Sequence, residues 1–284
     1  IYLKMPGSSI RLIDSEEFHS TVRKLREFFE GRGFVEVHTQ SRLSILAACE
    51  DPSTIATFTY DGQVWPLPQT GQMWLEHELL RNPEAPGFFC LSTSYRNEPT
   101  PVEGRHDKIF PMFEFEMKGG LDDLLSMERD LLQHLGFGQS DSFTAIDYDE
   151  LATKYQTEEL EHEHEAKMCE EYGDAVLLKM FPNNTSPFWN MTQSSTNPGH
   201  ANKVDVIIHG METIGSAERS TSVEEMREQF YSISEGGYAN ILFCNFTRER
   251  VEAELEEFLK YDFFPRCGGG IGMTRMIRAM KLSK

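Results

Sequence analysis

Between residues 94 and 116 the chain reads SYRNEPTPVEGRHDKIFPMFEFE, and Arg96, Glu98, Arg105 and His106 fall between a run ending at Tyr95 and a strongly apolar strand from Ile109. A loop joining two strands and carrying an arginine near each end can grip an anion from two sides, because each guanidinium presents a planar fork of donors. The same charges also suit a surface ion-pair cluster with Glu98, Glu103 and Asp107, and the segment alone leaves both readings open. A second segment, CGGGIGMTRMIRAM at 267–280, reads as a glycine-rich turn feeding a helix, with Arg275 in the second turn of that helix. Glycines let a backbone approach a phosphate or a flat base closely, and a helix start favours anions.

Such residues need a scaffold, and 284 residues suffice for one large α/β domain or two modest ones at ~150 residues each. With 39% hydrophobic and 26% charged residues, the composition is that of a globular protein rather than a disordered or fibrous one. Lys plus Arg number 27 against 46 Asp plus Glu, a net charge of −19. A surface this acidic repels a phosphate backbone unless its few cations are focused in one cleft, so DNA is not expected as a partner. The longest apolar stretches, 204–211 and 239–246, fall well short of the ~20 residues of a membrane span. No apolar signal segment with a small-residue cleavage site opens the chain, and a cytoplasmic address is expected. The five cysteines, Cys49, Cys90, Cys169, Cys244 and Cys267, are scattered and form no C-x-x-C pair, which predicts reduced thiols rather than disulfides or structural zinc.

Residues 14–34 carry a candidate N-cap at Asp14 or Ser15, apolar positions at Phe18, Val22, Leu25, Phe28 and Phe29, and stop signals at Gly31 and Gly33; they predict an amphipathic helix running into a short strand, FVEVHT. Apolar runs at 64–67, 88–93, 109–117, 175–181, 188–192, 204–211 and 239–245 read as strands of an antiparallel or mixed sheet, since no regular strand-helix alternation accompanies them. Helices are expected at 72–81, 121–136, 148–172, 222–234, 248–260 and 273–281. The acidic segment 158–171 reads as a solvated helix face, with metal binding through His162 and His164 as the lesser alternative, and the loop 193–203 reads as a mobile segment.

Taken together, the two arginine segments resemble motifs 2 and 3 of class II aminoacyl-tRNA synthetases: (F/Y)-R-x-E, a loop and R-H at 95–106, and G-x-G-x-G-x-x-R at 268–275. LREFFEGRGFVEVHTQ (25–40) is similar to motif 1, the helix and strand through which such enzymes dimerise. QTGQMWLEHELL (69–80), SPFWNM (186–191) and ETIGSAER (212–219) are similar to the S-G-Q-L-Y-L-E, R-P-F-Y-M and E-I-I-G-G-S-Q-R segments of the asparaginyl branch. The resemblance implies an α+β fold, a synthetase-like antiparallel sheet flanked by helices, with residues 1–284 forming a single catalytic domain and a homodimer as the assembly.

It also implies a site. Arg96 would bridge the α-phosphate of ATP and the reacting carboxylate, Arg105 with His106 would hold the distal phosphates, and Arg275 would close the other side of a bent ATP, with Glu98, Phe110, Glu212 and Gly272 completing the set. Asp205 and Glu212 stand where the family holds Mg²⁺, an ion suited to hard oxygen ligands. Gln69, Gln72, Leu75, Glu114 and Arg219 would form the amino-acid pocket, and Leu75 with Glu114 match the asparaginyl type, whereas the aspartyl type carries Lys and Asp there. Arg219 would hold a ligand oxygen and Glu114 a hydrogen-bond donor, either the asparagine side-chain amide or the α-ammonium of an aspartate bound the other way round. The pattern departs from the family at Gln40, where motif 1 has proline, at Thr274, where motif 3 has an acid, and in a motif 2 loop one residue longer.

The chain starts almost at motif 1, without the OB-fold that reads an anticodon, so either the sequence is a piece of a longer synthetase or the protein does not read an anticodon. The expected activity is ATP-dependent activation of aspartate or asparagine as an acyl-adenylate, followed by asparagine-synthetase-like ligation to ammonia or another small nucleophile, with tRNA not expected as a partner. A truncated or minimal asparaginyl-tRNA synthetase is the second reading. A catalytically inactive paralog serving as a binding module is the third, and the intact set Arg96, Glu98, Arg105, Glu212, Arg219 and Arg275 argues against it.

Overall fold

A computed structural model describes residues 2–4, 11–40, 42–45, 52–101, 105, 107–185 and 188–283. The strands are β1 (Tyr2–Lys4), β2 (Arg11–Ile13), β3 (Val35–Glu36), β4 (Thr57–Tyr60), β5 (Gln63–Pro66), β6 (Gly87–Tyr95), β7 (Ile109–Lys118), β8 (Thr144–Asp147), β9 (Ala175–Pro182), β10 (His200–Ile208), β11 (Met211–Arg219) and β12 (Arg266–Gly272). The helices are α1 (Ser15–Glu30), α2 (Gln72–Arg81), α3 (Leu121–Leu135), α4 (Tyr148–Tyr155), α5 (His162–Tyr172), α6 (Val223–Ser232), α7 (Gly237–Phe246), α8 (Arg248–Phe258) and α9 (Met273–Leu282). One sheet runs β3-β6-β7-β12-β11-β10-β9-β8. From β6 to β9 every pairing is antiparallel, and β3 and β8 join the two edges in parallel. This is the α+β sheet with flanking helices that the sequence predicts.

Strand alternation makes the sheet two-sided. Along β7, Phe113 and Phe115 enter the main core, where they meet Leu25, Phe28 and Phe29 of α1, Leu124 and Leu131 of α3, and Met273 and Met276 of α9. Glu114 and Glu116, at the intervening positions, face the other way. On β10, Val204 and Val206 likewise join the main core while Lys203 and Asp205 alternate with them. One face is therefore apolar and covered by helices, and the opposite face carries buried charge. The helical subassembly α6–α8, packed around Trp189, Phe230 and Phe258, flanks that polar side.

Helix starts follow local chemistry. Asp14 caps α1 by accepting from the amides of Glu16 and Glu17, both at 3.0 Å. Residues 239–245, expected as a strand, lie within α7, where Tyr238, Ala239, Leu242 and Phe246 are the buried positions. A short apolar run does not distinguish strand from helix, and here the helical spacing decides. The helix expected over 148–172 divides at Gln156, whose φ is 56°, into α4 and α5. His164 is structural: it accepts from the Glu161 amide at 2.9 Å and stacks on Tyr155, while no group of three or more His, Cys, Asp or Glu able to hold a metal occurs among the described residues. Residues 188–192 form a turn bridged to β11 through Met191 and Arg219 rather than a strand of the sheet. Backbone bonds from Ser194 to His200 (2.7 Å) and from Asn202 to Thr192 (2.9 Å) tie down the loop expected to be mobile.

The glycine-rich segment is the largest correction. Residues 266–272 are the central strand β12, not a turn, and Arg275 falls in the first turn of α9 rather than the second. Gly268 and Gly269 serve side-chain room: a Cβ on Gly269 would lie 2.5 Å from Ser216 Cβ and 2.6 Å from the Gly215 carbonyl. Among the described residues, no helix is long and apolar enough to cross a membrane.

Candidate active site

Two adjoining cavities open on the polar face. The larger, about 280 Å³, is lined by Arg96, Glu98 and Arg105 from the β6–β7 connection, by Phe110 on β7, by Glu212 on β11, and by Gly272 and Arg275 at the start of α9. The smaller, about 70 Å³, is lined by Gln69, Gln72, Glu114 and Arg219. Arg96, Met112, Glu212, Gly215 and Gly270 line both. Residues far apart in sequence thus meet because β7, β12 and β11 are neighbours.

In the larger cavity the cations are held by backbone and carboxylates. Arg275 Nη1 donates to the Glu212 carbonyl at 2.8 Å and lies 3.5 Å from its carboxylate, and Arg275 Nη2 reaches the Arg105 carbonyl at 3.4 Å. Arg105 is paired with Glu165 of α5 at 2.7 Å, and the same Glu165 oxygen accepts the Glu212 amide at 2.8 Å. Arg96 lies over the Phe110 ring, 5.6 Å from its centroid. Burial opposes ionisation of Glu212, but the fields of Arg275, Lys203, Arg96 and Arg105 outweigh it and hold this carboxyl below its usual range. His106 lies outside the described residues.

The smaller cavity rests on a buried charge network. Arg219 Nη2 donates to the Gly268 carbonyl at 3.2 Å and approaches Glu116 at 3.5 Å, while its Nε lies 3.9 Å from Glu76. Arg266 sends Nε and Nη2 to Glu76 at 3.0 and 2.8 Å and Nη1 to the Ser220 carbonyl at 3.0 Å. Asn190 Nδ2 donates to the other Glu76 oxygen at 2.8 Å, and Gln72 donates to Glu116. Burial pushes the Glu116 carboxyl up to about 8, with Arg219 and Arg266 pulling against the burial and Glu76 adding to it. Burial thus disfavours charge on Glu116, and the positive charge of Arg219 beside it suits an incoming carboxylate.

A family model described as tRNA synthetases class II (D, K and N) matches residues 15–284. This chain belongs to the class II tRNA synthetases. An asparagine–tRNA ligase of Sorangium cellulosum is 31% identical over 99 residues, 35% of this chain and 21% of that relative. An aspartate–tRNA(Asp) ligase of Pyrobaculum aerophilum is 22% identical over 284 residues, covering 91% of this chain and 62% of its own length. Among solved structures, asparaginyl-tRNA synthetase of Pyrococcus horikoshii complexed with asparaginyl-adenylate aligns with a TM-score of 0.76 at 19% identity, over 94% of this synthetase core and 65% of that chain. The Entamoeba histolytica asparaginyl-tRNA synthetase in complex with asparaginyl-adenylate aligns at 0.75 and 17%, over 93% and 63%. The synthetase core therefore spans less than two-thirds of the length of these relatives.

Enzymes of this family use ATP and Mg²⁺. Among the described residues buried Asp205 Oδ1 has no hydrogen-bond partner, and Glu212 lines the larger cavity, so two hard carboxylate oxygens fit the ion. Asp205 pairs with Gly215 across β10 and β11, which sets it beside both cavities.

Two residues of the expected amino-acid pocket are engaged differently from the expectation. Leu75 is fully buried in a small apolar cluster with Leu79, Phe88 and Cys90, so any influence on a ligand passes through packing. Glu114 lines the pocket, but both its oxygens accept from the Gly71 amide, at 3.0 and 2.9 Å, with further bonds from Thr70 and Ser92. It braces the start of α2. Gln69 donates to Thr54 Oγ1 at 3.1 Å. Sequence reasoning missed Glu76, Glu116 and Arg266. The signal for Glu116 was present in FPMFEFEMK, where a second glutamate two residues after Glu114 must share its face of an otherwise apolar strand.

Proposed function

We propose that this synthetase core activates asparagine or aspartate with ATP through an acyl-adenylate. The observation that carries the reading is the position of Arg96, which lines both cavities at their junction, where an amino-acid carboxylate in the smaller one would meet the α-phosphate of ATP in the larger. In this reading Arg219 receives the amino acid, with Gln69, Gln72 and Glu114 shaping the pocket. Phe110 offers a face for the base, Arg105 and His106 take the distal phosphates, and Arg275 closes the opposite side, with Glu98 and Gly272 completing the nucleotide set. Arg96 neutralises charge that builds on the α-phosphate during in-line attack, and positioning with electrostatics supplies the rate without a covalent nucleophile on the protein. Held by Asp205 and Glu212, Mg²⁺ would add positive charge beside the phosphates.

Ammonia or another small nucleophile as acceptor makes the product asparagine-synthetase-like, and tRNA as acceptor makes the chain a minimal or truncated asparaginyl-tRNA synthetase. The names of its relatives favour the second acceptor, and the net charge of −19 favours the first. A cytoplasmic homodimer formed through α1 and β3 accompanies either reading, with Val35 on the edge strand half exposed. Pyrophosphate exchange with each amino acid tests the activation step, and its absence with both would sink it. Mass spectrometry after incubation with ATP, Mg²⁺ and ammonium, beside a charging assay with asparagine tRNA, then decides the acceptor.

A further inference from the structure

Lys203 and Asp205 stand two apart on β10 and so share the polar face of the sheet. Lys203 Nζ donates to Asp205 Oδ2 at 2.6 Å, and both side chains are nearly inaccessible, at 5% and 11% exposure. The ammonium is held from a second side by the Phe181 ring, 3.8 Å from its centroid. Taking two charges out of water is costly, so stability alone does not account for burying this pair. Its field reaches beyond Asp205 to Glu212, which lines the larger cavity. A divalent ion on Asp205 Oδ1 would therefore share one carboxylate with a fixed ammonium on Oδ2, and like charges so close repel.

Resting on the nucleotide reading above, we infer that Lys203 is a built-in cation of the ATP site, which lowers both the affinity of Asp205 for a free divalent ion and the dependence of triphosphate binding on that ion. Lys203 supplies part of the charge at Asp205 that a metal would otherwise bring, and it does so before any ligand arrives.

The test is calorimetric titration of ATP into the intact chain, in EDTA and in excess Mg²⁺, for the wild type, Lys203→Gln and Lys203→Arg. Wild type should lose less than about tenfold in affinity when Mg²⁺ is removed, Lys203→Gln should lose at least about tenfold more in EDTA yet recover in Mg²⁺, and Lys203→Arg should follow the wild type. Without nucleotide, Mn²⁺ followed by electron paramagnetic resonance should bind Lys203→Gln more tightly than the wild type, because Asp205 is then released from its ammonium. Equal Mg²⁺ dependence and equal Mn²⁺ affinity in wild type and Lys203→Gln would overturn the inference while leaving ATP binding intact. If Lys203→Gln does not fold, the wild type decides alone: ATP binding that vanishes in EDTA overturns the inference, and retained binding supports it. No ATP binding in either buffer would sink the nucleotide reading and this inference with it.

Discussion

Gly268 lies directly opposite Glu116 on the neighbouring strand, and a Cβ on it would sit 1.9 Å from Glu116 Oε2, 2.4 Å from the Phe115 carbonyl and 2.8 Å from Gln72 Nε2. The missing side chain is thus the space in which the glutamate is held beside Arg219. The carboxylate end could swing away, but the carbonyl could not, so strand β12 can approach β7 here only as glycine.

Gly268→Ala should accordingly disturb the Arg219 anchor more than the nucleotide side. Overpacking of this kind costs about 1–3 kcal/mol, so a lower melting temperature is expected, with a rise in KM for the amino acid larger than that for ATP. Steady-state kinetics with each substrate varied in turn checks it, and an equal rise in both would remove the specific link to Glu116 and Arg219.

Arg96→Ala should leave the fold intact and slow adenylate formation on the order of 10²-fold or more, because it removes charge aimed at the α-phosphate. Pyrophosphate exchange within a few-fold of the wild type would mean that the junction of the two cavities is not where the chemistry occurs.

Glu165 holds the guanidinium of Arg105 at 2.7 Å, so a triphosphate must compete with a carboxylate for the arginine assigned to it. Charge-assisted bonds are roughly twice as strong as neutral ones, and Glu165→Gln should loosen Arg105 and tighten ATP binding several-fold. Weaker binding in this variant would show instead that Glu165 positions Arg105 for the nucleotide.

Glu128 on α3 is fully buried beneath the sheet, with one oxygen accepting from Ser216 Oγ at 2.6 Å and the other without a partner among the described residues. Burial pushes its carboxyl from the ordinary 4.5 up to about 8; the Ser216 bond opposes this, and the Asp205 charge adds to it. Between those two values the folded chain keeps a proton that the unfolded chain has lost, so this group's contribution to stability is complete at low pH and declines as pH rises through the window. Glu128→Gln, which keeps an acceptor for Ser216 and cannot ionise, should melt higher than the wild type at pH 8 and lose that advantage toward pH 5. Thermal unfolding at the two pH values checks the sign, and an advantage that grows on acidification would refute it.

What this sequence determined alone was the order and identity of its conspicuous polar residues and its longer amphipathic helices. Arg96, Arg105, Glu212, Arg219 and Arg275 stand out because charge beside apolar strands is uncommon, and α1 and α3 stand out because their apolar spacing is that of a helix with one buried face. The run 239–245 reads as a strand rather than as the helix it forms, since a short apolar run carries no visible face until α6 and α8 are packed against it. Nor could the glycines of 268–270 be read as a strand, because what they accommodate is Glu116 on one neighbour and Ser216 on the other. The pairings of Glu76 with Arg266, Glu165 with Arg105 and Gly268 with Glu116 join residues from 60 to 190 positions apart, since sequence separation says nothing about which strands become neighbours. Spacing along one strand assigns a residue to a face; strand order, which only the folded chain decides through the packing of the whole sheet, determines what it meets there.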